Sequence, residues 1–154
     1  MSLIPPILSF VQLIGRRGVQ ATKNAMLVWP NLAIPVTITS GSTEWVYGNW
    51  TQIIPANAIT TGYAITAIAI SGFDTGNALD YQLELGIGNS PDEVSKRPIA
   101  LHHDAQTGEG VLHLEFPMPI EVAANVRVAA QLACSSLASS KTLGVNITTV
   151  PLPL

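Results

Sequence analysis

The stretch 80–88 constrains the chain more than any other. Tyr81, Leu83, Leu85 and Ile87 fall on one side of an extended backbone, with Gln82 and Glu84 on the other. A period of two belongs to a strand with one buried face, whereas a helix needs apolar residues three and four apart. From Pro30 onward no stretch carries that helical period. Short runs rich in β-branched residues recur instead, at 35–40, 45–54, 63–71, 80–88, 99–102, 111–116, 126–132 and 142–150. The run 63–71 is apolar on both faces, the pattern of a central strand.

Turn chemistry separates these runs. Ser40-Gly41-Ser42, Asp74-Thr75-Gly76-Asn77, Gly88-Asn89-Ser90-Pro91-Asp92 and Thr107-Gly108-Glu109-Gly110 all carry residues that accept tight or left-handed backbone. Eight strands at this spacing predict an all-β fold, a two-sheet antiparallel β-sandwich of jelly-roll-like form. An up-and-down barrel around a ligand cavity is the alternative. One internal echo stands out: the strand end at Ile54 leads into Pro55-Ala56-Asn57, and the strand end at Ile120 leads into Ala123-Ala124-Asn125. Asn tolerates left-handed backbone, so the same corner can be made twice.

Composition narrows the function. Only 11 % of the 154 residues are charged and 47 % are hydrophobic, with mean hydropathy +0.36; soluble domains average about 25 % charged. A chain this apolar can bury a core, which excludes disorder. Prolines 5, 6, 30 and 35 break the apolar stretches before any reaches the roughly 18 residues of a membrane span. A net charge of −3 offers no pull toward nucleic acid or anionic lipid. Arg16, Arg17 and Lys23 are too few for a nucleic-acid footprint. Arg16 and Arg17 also follow the apolar stretch instead of preceding it, the reverse of a secretion signal.

The candidate chemistry is sparse. His102, His103 and Asp104 with His113 would hold a transition metal if their two strands paired as a hairpin; solvated turn positions explain them as well, and no metal, cofactor or catalytic residue is assigned. Cys134, the sole cysteine, has no nucleophile-elbow context and reads as a small buried hydrophobe. Asp80, Glu84, Glu115 and Glu121 are scattered over solvent-side positions. Trp45, Tyr47 and Trp50 read as core packing at a sandwich edge, or as a stacking platform for a sugar.

Two segments, Tyr47-Gly48-Asn49-Trp50-Thr51-Gln52-Ile53-Ile54-Pro55-Ala56-Asn57-Ala58-Ile59-Thr60-Thr61 and Pro119-Ile120-Glu121-Val122-Ala123-Ala124-Asn125-Val126-Arg127-Val128-Ala129-Ala130-Gln131-Leu132-Ala133, carry a family likeness. With the 81–88 strand between them, they resemble small β-sandwich virion proteins of tailed bacteriophages, which include capsid decoration (cement) and tail-associated proteins. The resemblance runs over roughly residues 45–150. It implies a non-enzymatic structural role, often as a homotrimer on the shell exterior, in contact with the major capsid protein.

These readings converge on an N-terminal arm, residues 1–30, and a β-sandwich domain, residues 31–154. Residues 1–15 and 142–154 contain no charged side chain. The expected interface is therefore Leu3, Ile4, Ile7, Leu8, Phe10, Val11, Leu13 and Ile14 with Arg16 and Arg17 beside them, and Leu152 and Leu154 at the other end. The expected role is a decoration protein made in the host cytoplasm and bound to the capsid exterior, with tail, collar or baseplate component and glycan-binding sandwich as alternatives.

Overall fold

The computed structural model describes residues 26–30, 34–104, 110–137 and 139–153. The expected arm contacts from Leu3 to Arg17, and Leu154, lie outside the described residues. Nine strands occur among those described: β1 (Leu27–Trp29), β2 (Val36–Thr39), β3 (Thr51–Ile54), β4 (Tyr63–Ser71), β5 (Leu79–Ile87), β6 (Val94–His103), β7 (Leu112–Val122), β8 (Val128–Cys134) and β9 (Thr142–Pro151).

The pairing is nested. β2 pairs with β9, β3 with β8, β4 with β7 and β5 with β6, every pair antiparallel. A chain doubled into one long hairpin gives that nesting, and folding the hairpin into two layers gives a jelly roll. One sheet runs β1-β9-β4-β7, with β2 following β1 along the same edge of β9. The other runs β3-β8-β5-β6. The sandwich and its jelly-roll form are as the alternation predicts.

The inward residues follow the period of two. On β5, Tyr81, Leu83 and Leu85 are buried while Gln82 and Glu84 are half-buried on the outer face. On β9, Leu143, Val145 and Ile147 face the same core. β4 is central in its sheet, between β9 and β7, and is mostly buried as its two apolar faces require. Ile65, Ile68 and Ile70 are the buried isoleucines along it. Each fully buried side chain of this size stabilises the fold by roughly 1.5–3 kcal/mol before entropy is counted. Tyr63 is buried with them, its hydroxyl donating to the Val126 carbonyl at 3.4 Å, and burial pushes that hydroxyl's pKa up to about 12.

The two corners read from the sequence meet. Asn57 and Asn125 both hold left-handed backbone, with φ of 65° at each. The Asn57 N–H donates to the Asn125 carbonyl at 3.1 Å, and the Asn125 N–H donates to the Ile59 carbonyl at 2.8 Å. The chain crosses between sheets at both points, so the two crossings brace one another.

Several boundaries depart from expectation. Regular pairing in the 45–54 run is confined to β3, although the Trp45 and Gly48 N–H groups still donate to β8 carbonyls, of Cys134 and Leu132, at 2.8 and 2.9 Å. The chain is pressed aside there: a Cβ on Gly48 would lie 1.9 Å from the Thr39 carbonyl oxygen. β7 runs six residues past Phe116 to Val122 because a bulge absorbs two prolines: Ile65 pairs with Ile120 and Ala67 with Glu115, leaving Phe116, Pro117, Met118 and Pro119 outside the ladder.

Candidate functional site

The jelly roll separates the histidines that the sequence placed together. β6 pairs with β5 and β7 with β4, so the strands carrying His102 and His113 lie in different sheets and form no hairpin. His102 stands on the outer face of its sheet with Nδ1 2.7 Å from Asp80 Oδ1, directly across the β5–β6 ladder. His103 points the other way, buried and stacked on the Phe73 ring at 4.8 Å with planes 3° apart. His113 is exposed beside Ala69. Among the described residues no three His, Cys, Asp or Glu side chains gather into a metal-sized group.

Cys134 is buried, as expected of a small hydrophobe, and burial pushes its thiol above its ordinary pKa. The carboxylates are engaged singly. Glu84 accepts from Gln131 Nε2 at 2.5 Å and from the Ser95 hydroxyl. Asp74 accepts from the Gly76 N–H at 2.9 Å and pairs with Lys141 Nζ at 2.5 Å; the Lys141 ammonium, with the Gly76 N–H, holds its carboxyl below the usual range. Glu93, its side chain wholly buried, pairs with Arg127, whose Nε also donates to Gln52 Oε1 at 3.2 Å. Loss of water lowers the Arg127 pKa.

The three aromatics split among three clefts instead of forming one platform. The Trp50 ring lies across Gly86 on the outer face of the β3-β8-β5-β6 sheet, where a Cβ would come within 2.6 Å of it. It walls a cleft with Pro91 and Glu93. Tyr47 borders a second cleft with Thr39 and Asn49, and burial together with the Glu84 charge raises its pKa. Trp45, 47 % exposed, borders a third of about 480 Å³ with Asp80, Gln82, Ala100 and His102. Their sequence neighbourhood is real, but each ring borders a different cleft.

The free edges of the sandwich carry most of the unburied apolar side chains. β6 and β7 are the outer strands at one side, and Val94, Val111, Leu112 and Met118 are exposed along them. Arg97 links the two sheets there: Nη2 donates to the Met118 carbonyl at 3.0 Å, and the guanidinium sits 4.7 Å over the Phe116 ring. That grip holds the bulge and leaves the Met118 side chain 73 % exposed between two prolines. At the opposite edge Met26, Leu27 and Ile34 are exposed beside β1 and β2. Sequence reading found neither edge, because exposure on an outer strand is set by pairing order. Of the expected C-terminal contacts, Leu152 is half-buried against its own sandwich, its N–H donating to the Gly62 carbonyl at 2.9 Å.

No family model matches the sequence, and no curated relative matches it. Among solved structures, a chain of infectious bursal disease virus, Gx strain, aligns at 10 % identity over 84 % of this chain and 34 % of its own, with a TM-score of 0.48. Eiger TNF from S. frugiperda aligns at 9 % identity over 85 % and 94 %, with a TM-score of 0.42. The VP2 subviral particle of infectious bursal disease virus aligns at 10 % over 84 % and 33 %, with a TM-score of 0.40. This chain thus spans about a third of the length of the virus chains it aligns with. The jelly-roll assignment itself rests on the nested strand pairing.

Proposed function

We propose that this chain is a structural virion protein, a capsid decoration protein that binds the outside of the shell and stabilises it. The observation carrying the reading is the exposure of apolar side chains along both free edges, Met118 and Leu112 at one and Met26 and Ile34 at the other. Isolated apolar residues are ordinary on any surface, but here they line strand edges in a chain only 11 % charged. Assembly interfaces are depleted of charge at their centres and resemble a core cut in two. The resemblance of residues 45–150 to small phage virion sandwiches supports the same reading, as do the uncharged segments 1–15 and 142–154. Binding only to assembled subunits would hold the shell together by mass action.

The test is to mix the purified chain with shells that lack it and measure co-sedimentation and the shell's thermal transition. Saturable binding with a raised transition is the expected result, and deletion of residues 1–15 should weaken it. Analytical ultracentrifugation should give a trimer. Binding to isolated tails but not to shells would move the chain to the tail, collar or baseplate reading.

A further inference from the structure

Among the described residues, three other than glycine hold left-handed backbone: Asn57, Asn125 and Trp45, the last at φ 57°. Asparagine accepts this conformation readily, and both asparagines stand at corners that need it. A bulky aromatic does not accept it, so its presence is a strain that the surrounding structure must hold in place. The hold is visible: the Trp45 N–H donates to the Cys134 carbonyl at 2.8 Å, tying the residue to the edge of β8. The residue nonetheless stays 47 % exposed, so core burial is not what the strained position achieves.

What the strained position achieves is placement of an indole at the mouth of the 480 Å³ cleft. The floor of that cleft is a set of cross-strand neighbours, with Asp80 opposite His102 and Gln82 opposite Ala100. Gln82 is also flanked by Ala133 of β8, so an alanine on each side leaves its amide standing above the floor. The Asp80–His102 contact at 2.7 Å fixes one carboxylate oxygen and leaves the other directed to solvent-accessible space, the Asp80 side chain being 56 % exposed.

We propose that this cleft is a saccharide-binding subsite, with Trp45 as the stacking face and Asp80, Gln82 and His102 as the hydroxyl-reading edge. A pyranose presents an apolar C–H face and a rim of hydroxyls, each able to donate and to accept. An exposed indole matches the first, because its apolar body and π-face take C–H groups. A carboxylate, an amide and an imidazole match the second, offering both acceptors and donors in an orientation fixed by the ladder. The cleft is open and shallow, which suits one or two residues of a longer glycan. The subsite needs Trp45 alone among the three aromatics, since Tyr47 and Trp50 border other clefts.

The experiment titrates the intact protein with methyl glucoside, galactoside, mannoside and N-acetylglucosaminide, and with their β-linked trisaccharides, while the indole N–H signals are followed by NMR. Trp45→Asn is the main variant, because asparagine keeps the left-handed backbone and removes only the ring. Saturable movement of the Trp45 signal by at least one sugar is expected. Trp45→Asn should weaken that sugar about tenfold, the value of one stacking contact, and Gln82→Ala severalfold, both with the unfolding midpoint held. Trp45→Phe should retain part of the affinity. An indole signal that stays still across the panel overturns the proposal. So does affinity that survives Trp45→Asn unchanged.

Discussion

The two ends of the sandwich are closed by different means. At one end lie the connections 55–62, 88–93 and 123–127, drawn together by the Asn57–Asn125 and Asn125–Ile59 backbone bonds and by the buried Glu93–Arg127 pair, to which the exposed Gln52 adds a hydrogen bond. At the other lie the connections 40–50, 72–78, 104–111 and 135–141, of which 105–109 and 138 are not described. That end too has backbone bonds, from the Ser40 N–H to the Lys141 carbonyl at 2.8 Å and from the Ser135 N–H to the Asp80 carbonyl at 2.9 Å. It also has buried ring contacts, the Phe73–His103 stack and the Phe73–Tyr81 edge contact at 5.7 Å, but its ion pair, Asp74–Lys141, lies partly exposed. Charge buried without water is costly to break, whereas charge beside water contributes little. The first end is therefore built to be rigid, and the second to tolerate change in its loops. Trp45 and its cleft belong to the tolerant end.

The largest expected effect comes from breaking the rigid end. Arg127→Met leaves the Glu93 carboxylate buried without its partner and should cost about 3–5 kcal/mol in urea unfolding. The double variant with Glu93→Leu removes both charges and should recover most of that loss. A double variant as unstable as the single one would show that packing, not charge, holds this end.

A middle-sized effect is expected at the corners. Asn57→Ala forces a Cβ-bearing residue without a local hydrogen bond into φ 65° and should cost about 1 kcal/mol. Asn57→Gly should cost little, since glycine adopts that backbone freely. Equal losses for the two would mean that the Asn57 side chain, and not its backbone, makes the corner.

The smallest effect is expected at the tolerant end. Asp74 has its pKa lowered by Lys141 and Gly76, so the stability it contributes is present above its unfolded pKa and lost as pH falls through the lowered folded value. Lys141 has its pKa raised by Asp74, so its share is present below its unfolded pKa and lost as pH rises through the raised folded value. Both side chains are about one-fifth exposed, and screening keeps the pair below about 1 kcal/mol. Lys141→Ala should thus lower the thermal midpoint slightly at neutral pH. The difference from the parent protein should vanish well below about pH 4.

Much of this architecture was legible in the residues. The alternation of Tyr81, Leu83 and Leu85 set the face of β5, and Asn57 and Asn125 announced two equivalent corners. Other parts were hidden for identifiable reasons. β1 is three residues ending at a proline, too short for any period to show. β6 begins at Val94, five residues before the predicted start, because Ser95, Lys96 and Arg97 give an outer strand no apolar rhythm. The predicted strand stopped at Phe116, yet Pro117 and Pro119 sit in a bulge inside β7, which continues past them. The histidine group failed because consecutive strands usually pair, and in this topology β6 and β7 do not. The indole cleft could be glimpsed only as three nearby aromatics, since the left-handed backbone of Trp45 and the cleft its ring borders show in no residue pattern.

The nesting of the strands has a consequence for how the molecule comes into being. Val36 meets Val145, and Thr39 meets Thr142, so β2 finds its partner only in nearly the last residues of the chain. During synthesis β5 and β6 can pair almost at once, then β4 with β7 and β3 with β8, with β1 and β2 waiting longest. Topologies dominated by such distant partners fold in milliseconds to seconds. In that interval the inner faces of β2 and β4 stand open to other chains as well as their own. Ribosome-bound or crowded copies are thus most exposed to mispairing before β9 is released, which makes late completion of that strand the step a chaperone would guard.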